Sequence, residues 1–146
     1  MNAAAPTVRP HDLPPDTRRR VVARIRKETH VNEAGSQRML DGALQFLDLC
    51  GAKQRGEIEP FVAAPSPIVD HAWHAFILHT PDYMAYCEEH CGGYVHHAPT
   101  DPDDTSAPEA GDDPYEQTRR ALEARFGELD ELLWPDLSAE QDLAGA

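Results

Sequence analysis

Thirteen prolines partition this 146-residue chain, and their placement limits the fold more than any other feature. Proline has no N–H and a locked φ, so it sits in a first helical turn or outside regular elements. The prolines crowd the N-terminus, residues 60–67 and residues 99–114, with Pro81 and Pro135 standing alone. In the stretches between them, apolar residues recur every three or four positions, which is the helical period. The reading is an all-α, small single-domain helical bundle of about five helices. The length suits one compact domain better than two, and a 40% hydrophobic content supplies a core.

Residues 1–15 read as a disordered N-terminal arm and 16–135 as the helical domain. A first helix is predicted from a cap at Asp16 or Thr17 to about Val31, with Val21, Val22, Ile25 and Thr29 inward. A second starts near Asn32, repeats Met39, Leu40, Ala43, Leu44, Leu47 and Cys50, and closes at Gly51. The segment EPFVAAPSPI should run extended and pack Phe61 and Val62 on the helices. Ser66 caps a third helix with Pro67 in its first turn, and Thr80 caps a fourth with Pro81. Gly92-Gly93 stops that helix, and Tyr94 to His97 should be extended, sending His96 and His97 to opposite sides. Residues 98–113 are acidic and proline-rich and read as a loosely ordered loop. A last helix begins at Asp113-Pro114 with Tyr115, Thr118, Leu122 and Phe126 on one face. Beyond Gly127, Leu129, Leu132, Leu133 and Trp134 return to the body, and 136–146 form a mobile tail.

The net charge of −13 argues against nucleic acid and anionic lipid as partners, because both are negative. No lysine or arginine occurs from Gly56 to Thr118, the interval that holds six of the eight histidines. No apolar run reaches membrane-spanning length, and the opening residues lack the apolar centre of a signal peptide, so a cytoplasmic location is expected. Cys50, Cys87 and Cys91 fit reduced thiols better than a disulfide framework.

The stretch VDHAWHAFILHT concentrates the polar chemistry. On a helix with Val69 at zero, Asp70 falls at about 100° and His74 at about 140°, both beside the apolar stripe and one turn apart. An aspartate and a histidine so spaced can share a metal ion, or the carboxylate can orient the imidazole. His71 points outward and His79 lies on the opposite border, so the three histidines are not one cluster. A stable site needs three or four ligands. The turn at Gly92-Gly93 brings His96 and His97 back as candidates for the rest. Asp70, His74 and one of His96 or His97 would form an N/O site suited to zinc or, less well, non-haem iron. Cys87 and His90 have the spacing of a nucleophile and its base, but no orienting group or oxyanion donor accompanies them. Without metal, His74 would be a partly buried histidine held by Asp70, and Trp73, Tyr83 and Tyr86 would be core.

The run SPIVDHAWHAFILHTPDYMAYCEEHCGGYVHHAP resembles the core motif of the glycine-rich-domain-containing-protein-like family, with its VD-x-x-WH, HT-x-x-Y, C, G and HH-x-P series. The resemblance covers about a quarter of the chain and implies no settled activity. It singles out Asp70, Trp73, His74, Tyr83, Cys87, Gly93 and His96 or His97, and implies that Asp70, His74 and the His96-His97 pair act together. Larger plant relatives carry the unit beside other modules and are linked to development and stress signalling. Their second histidine corresponds to Phe76 here, so a ligand set that includes it does not transfer.

Two functional expectations follow. One is a cytoplasmic protein that binds a single transition-metal ion, zinc before iron, at Asp70, His74 and His96 or His97. An open coordination position there would allow a mononuclear hydrolase or oxygenase. The other is a metal-free protein–protein interaction module using the acidic histidine-rich face.

Overall fold

The structure, a computed structural model, describes residues 9–98, 103 and 113–137. Five helices follow in chain order: α1 (Pro15–Thr29), α2 (Glu33–Gln54), α3 (Pro67–Ile77), α4 (Thr80–His90) and α5 (Pro114–Phe126). No strand occurs among the described residues, so the all-α reading holds. No helix among them is long and apolar enough to cross a membrane. The 98–113 loop and the 136–146 tail lie largely outside the described residues, as do residues 1–8.

Helix α2 is the central element and packs against α1, α3, α4 and α5. Its apolar residues face almost every direction, from Leu40 and Leu44 to Phe46, Leu47 and Leu49, all buried. A helix hydrophobic around most of its circumference has to be enclosed by others. Trp134 and Phe76 complete the core from α2's flanks.

Four local expectations need correction. Helix α1 starts at Pro15 behind Pro14, with no side-chain cap, and ends at Thr29 instead of Val31. His30 takes a left-handed φ of 61° and its N–H closes on the Arg26 carbonyl, which stops the helix. Gly51 does not terminate α2, which continues to Gln54. A side chain there would meet the Cys91 Cα at 2.8 Å, so this glycine serves a close approach of backbones. Helix α4 is preceded by His79 and gains no side-chain cap from Thr80. Phe61 is half-buried as expected, whereas Val62 and Leu132 are 70% and 64% exposed, because each lies on the outer side of an irregular segment.

Other details hold. Asn32, Ser66 and Asp113 cap α2, α3 and α5 by accepting from Gly35, Val69 and Tyr115 N–H groups. Residues 9–14, the described part of the N-terminal arm before α1, depart from the expected disorder and lie against the body. Leu13 is buried, and the Tyr86 hydroxyl donates to the His11 carbonyl at 2.8 Å. After α5, the Arg119 guanidinium donates to the Trp134 carbonyl and reaches Glu123 and Glu131, fastening the return of the chain.

Candidate functional site

The geometry begins at the N-terminus of α3. Ser66 caps it through the Val69 N–H at 3.2 Å, and Pro67 supplies the preset φ of the first turn. Asp70 therefore stands in the first turn, where the helix dipole favours a carboxylate. One turn later α3 presents the exposed His74.

The segment after α4 supplies the partner. Gly92 and Gly93 take positive φ values of 68° and 136°, and the chain then runs back past α3. Val95 is buried, His97 is half-buried, and Tyr94 and His96 face outward, as the alternation of an extended segment requires. His97 Nε2 and Asp70 Oδ1 are 2.7 Å apart. Their side chains remain 27% and 43% exposed, so the pair sits at the surface, open to solvent on one side.

This pair rests on a buried polar chain. The Trp73 ring lies 4.4 Å from the His97 ring, centroid to centroid. Its Nε1–H donates to the Tyr83 hydroxyl at 2.9 Å, which donates to the Val95 carbonyl at 2.6 Å. Three elements are thereby joined: α3 through Trp73, α4 through Tyr83, and the 94–98 segment through Val95. Fixing Val95 fixes the position of His97 two residues on.

The predicted site residues thus divide. Asp70 and His97 meet, 27 positions apart in sequence. His96 turns away and packs on Tyr94 with ring centroids 4.7 Å apart. The imidazole of His74 makes no hydrogen bond or ion pair among the described residues. It is exposed, not the partly buried histidine held by Asp70 of the metal-free alternative. Among the described residues, no group of three or more His, Cys, Asp or Glu is placed to hold a metal ion. The donors in hand are therefore two, one oxygen and one nitrogen, with a third, the imidazole of His74, a helical turn from Asp70.

The Cys87–His90 arrangement does not form. Cys87 is fully buried. Its thiol is held below its ordinary value by the neighbouring Cys91 thiol and the Val95 N–H, with burial opposing them. His90 faces elsewhere, stacked on His11 with centroids 4.0 Å apart and tilted onto Tyr86. Cys91 donates to the Leu47 carbonyl, and burial pushes Cys50 up to about 12. All three thiols are free and buried, so they behave as small core residues.

Sequence reasoning missed the bond between Trp73 and Tyr83. Its only trace is the pairing of a tryptophan and a tyrosine on consecutive helices. It also missed an open groove of about 640 Å³ between α2, residues 58–61 and α5.

Comparison with protein families places the chain. The UCP032817-like family profile matches residues 4–110, so the chain belongs to that family. This corrects the resemblance to the glycine-rich-domain-containing-protein-like family, which rested on one short residue series. The match spans α1 to α4 and carries no glycine-rich designation. The roles that the resemblance implied do not transfer with it. No curated protein matches the chain, and no solved structure does.

Proposed function

We propose that this UCP032817-like protein binds a single transition-metal ion, zinc more readily than ferrous iron, at the surface formed by Asp70, His97 and His74. The observation that carries the reading is the 2.7 Å approach of His97 Nε2 to Asp70 Oδ1. A carboxylate and an imidazole brought together from distant parts of the chain supply one oxygen and one nitrogen donor of the type zinc takes. The Trp73–Tyr83–Val95 chain holds them in place from behind, the role outer-shell groups play for metal ligands. His74 is exposed and one turn from Asp70, so rotation of its side chain offers the third donor. His96 has no part in this set. Whether catalysis follows depends on the remaining coordination position.

A second reading has its own support. The same hydrogen bonds clamp the 94–98 segment to α3 and α4, and the Asp70–His97 pair is then a structural latch. Calorimetric zinc titration and thermal melting separate the two, using wild type, His74→Ala and His97→Ala. Metal binding predicts one zinc per chain and a rise in melting temperature with zinc. Both variants would lose most of that rise. The latch predicts that His97→Ala melts earlier while zinc changes nothing in any of the three. That outcome would sink the metal reading.

A further inference from the structure

Residues 9–14 cross α4 before α1 begins, and three contacts hold them there. Leu13 is buried, the Tyr86 hydroxyl donates to the His11 carbonyl at 2.8 Å, and the Arg18 guanidinium donates to Asp12 Oδ1 at 2.7 Å. A fourth contact is of another kind. The His11 ring lies on the His90 ring, with centroids 4.0 Å apart and planes inclined by 17°. One imidazole belongs to the arm and the other to the last turn of α4. This stack shares no residue with the Asp70–His97 pair.

Neutral imidazoles stack favourably, whereas two imidazolium rings at that distance repel. Imidazole is the side chain whose charge changes between pH 5 and 8. The surroundings do little to offset the repulsion. Asp12 is already paired with Arg18 at 2.7 Å, and Asp82 with Arg20 at 3.0 Å. Burial pushes the Tyr86 phenol up, so it stays neutral. Arg55 reaches over from α2 and donates to the His90 carbonyl at 2.8 Å, which adds positive charge. Glu89 opposes, but it stands 3.7 Å from His90 Nε2 with its side chain 73% exposed, where an ion pair counts for little. Burial first, and then His11, accordingly hold His90 below its ordinary value of 6.5.

We infer that residues 9–14 are a pH-gated strap, closed on α4 at neutral pH and released on acidification, when the His11–His90 stack becomes doubly charged. Release frees the Tyr86 hydroxyl and widens the cleft of about 400 Å³ between the strap, α1 and α4. The sign follows from the lowered His90 value. The closed strap is favoured above about pH 6.5 and loses that favour as pH falls through the lower value. The helices stay packed, because no imidazole takes part in the core.

The test is NMR of the full chain, reading hydrogen exchange of the Leu13 N–H at about pH 7.5 and about pH 5, corrected for the intrinsic rate at each. The Leu44 N–H, in the core of α2, reports global opening. In wild type the opening constant at Leu13 should rise at least about fivefold on acidification, and Leu44 should not follow. His11→Phe keeps a ring on His90 without the second charge. It should remove the rise and move the His90 ring titration up toward its ordinary value. His11 is exposed, so the core tolerates the change, and His11→Gln should likewise abolish the rise with the ring removed as well. Asp12→Asn loosens the strap without touching the stack. It should speed Leu13 exchange by the same factor at both pH values and leave their ratio intact. A wild-type ratio near one overturns the inference, as does a rise that Leu44 shares equally. An undiminished rise in His11→Phe and His11→Gln overturns it too, since the second imidazole would then have no part in the gate.

Discussion

The two tryptophans show how one residue type takes opposite roles. Both are buried, and both pack near Phe46. Trp73 gives its Nε1–H to Tyr83, whereas Trp134 Nε1 is buried with no acceptor among the described residues. A buried donor without a partner costs about 1–3 kcal/mol, and replacing it with an apolar ring removes that cost. Phenylalanine at position 134 loses volume but sheds the unpaired N–H. Phenylalanine at position 73 loses volume and also leaves Tyr83 without its donor. Trp73→Phe should therefore destabilise more than Trp134→Phe, by about 1–2 kcal/mol. Urea unfolding of the two variants measures the difference, and equal losses would contradict the assignment.

Between elements, the decisive contact is the one Gly51 permits. Helix α2 passes so near the end of α4 that a Cβ at position 51 would strike the Cys91 backbone at 2.8 Å. Backbone yields less readily than a side-chain tip. Gly51→Ala should therefore destabilise by about 1–3 kcal/mol, although alanine is the better helix former. Gly35→Ala offers a control on the same helix, since there the nearest atom is a Val31 methyl. Denaturant midpoints should fall further for the Gly51 variant. If Gly51→Ala raised the midpoint, helix propensity would outweigh the contact, and the approach of α2 to Cys91 would have to be looser than described. The same approach positions Gly92-Gly93, from which the segment bearing His97 departs.

Across the whole molecule, stability should depend on pH through His90. Burial, and then the charge of His11 stacked upon it, hold His90 below its ordinary value of 6.5, with Glu89 opposing. Asp12, Asp82 and Tyr86 face the same surface from the arm and from α4. A depressed histidine accepts its proton later in the folded chain than in the unfolded one. Its contribution is thus present above about pH 6.5 and is lost as pH falls through the lower folded value. The midpoint of unfolding should decline from about pH 7 to about pH 5, and His90→Gln should flatten that decline. Asp16, Glu57 and Asp82 are held below their usual values by Arg19, Arg55 and Arg20. Their contributions are lost only at lower pH, so the two ranges separate in a pH series of melts. A His90→Gln profile that overlays wild type would remove His90 from this account.

The helices were legible because their signals are local. Asn32, Ser66-Pro67 and Asp113-Pro114 announce helix starts through hydrogen bonds made within three residues, and apolar spacing gives the buried faces directly. The N-terminus of α1 and the end of α2 were misread because proline and glycine each have more than one use. Pro15 opens a helix without a capping side chain, and Gly51 answers a neighbour instead of ending its own element. For the site, the sequence by itself singled out Asp70, His74, His96 and His97, since their residue types and turn spacing are visible in one dimension. Only the tertiary structure chose among them. It paired Asp70 with His97 and turned His96 outward, because the parity of the extended segment is set by Val95, anchored through Tyr83 and Trp73. It also opened the groove beside α5, whose walls come from three segments that no local pattern relates. Hydrogen-bond periods along a chain can be read in order, but distances between its parts arise only when the core closes.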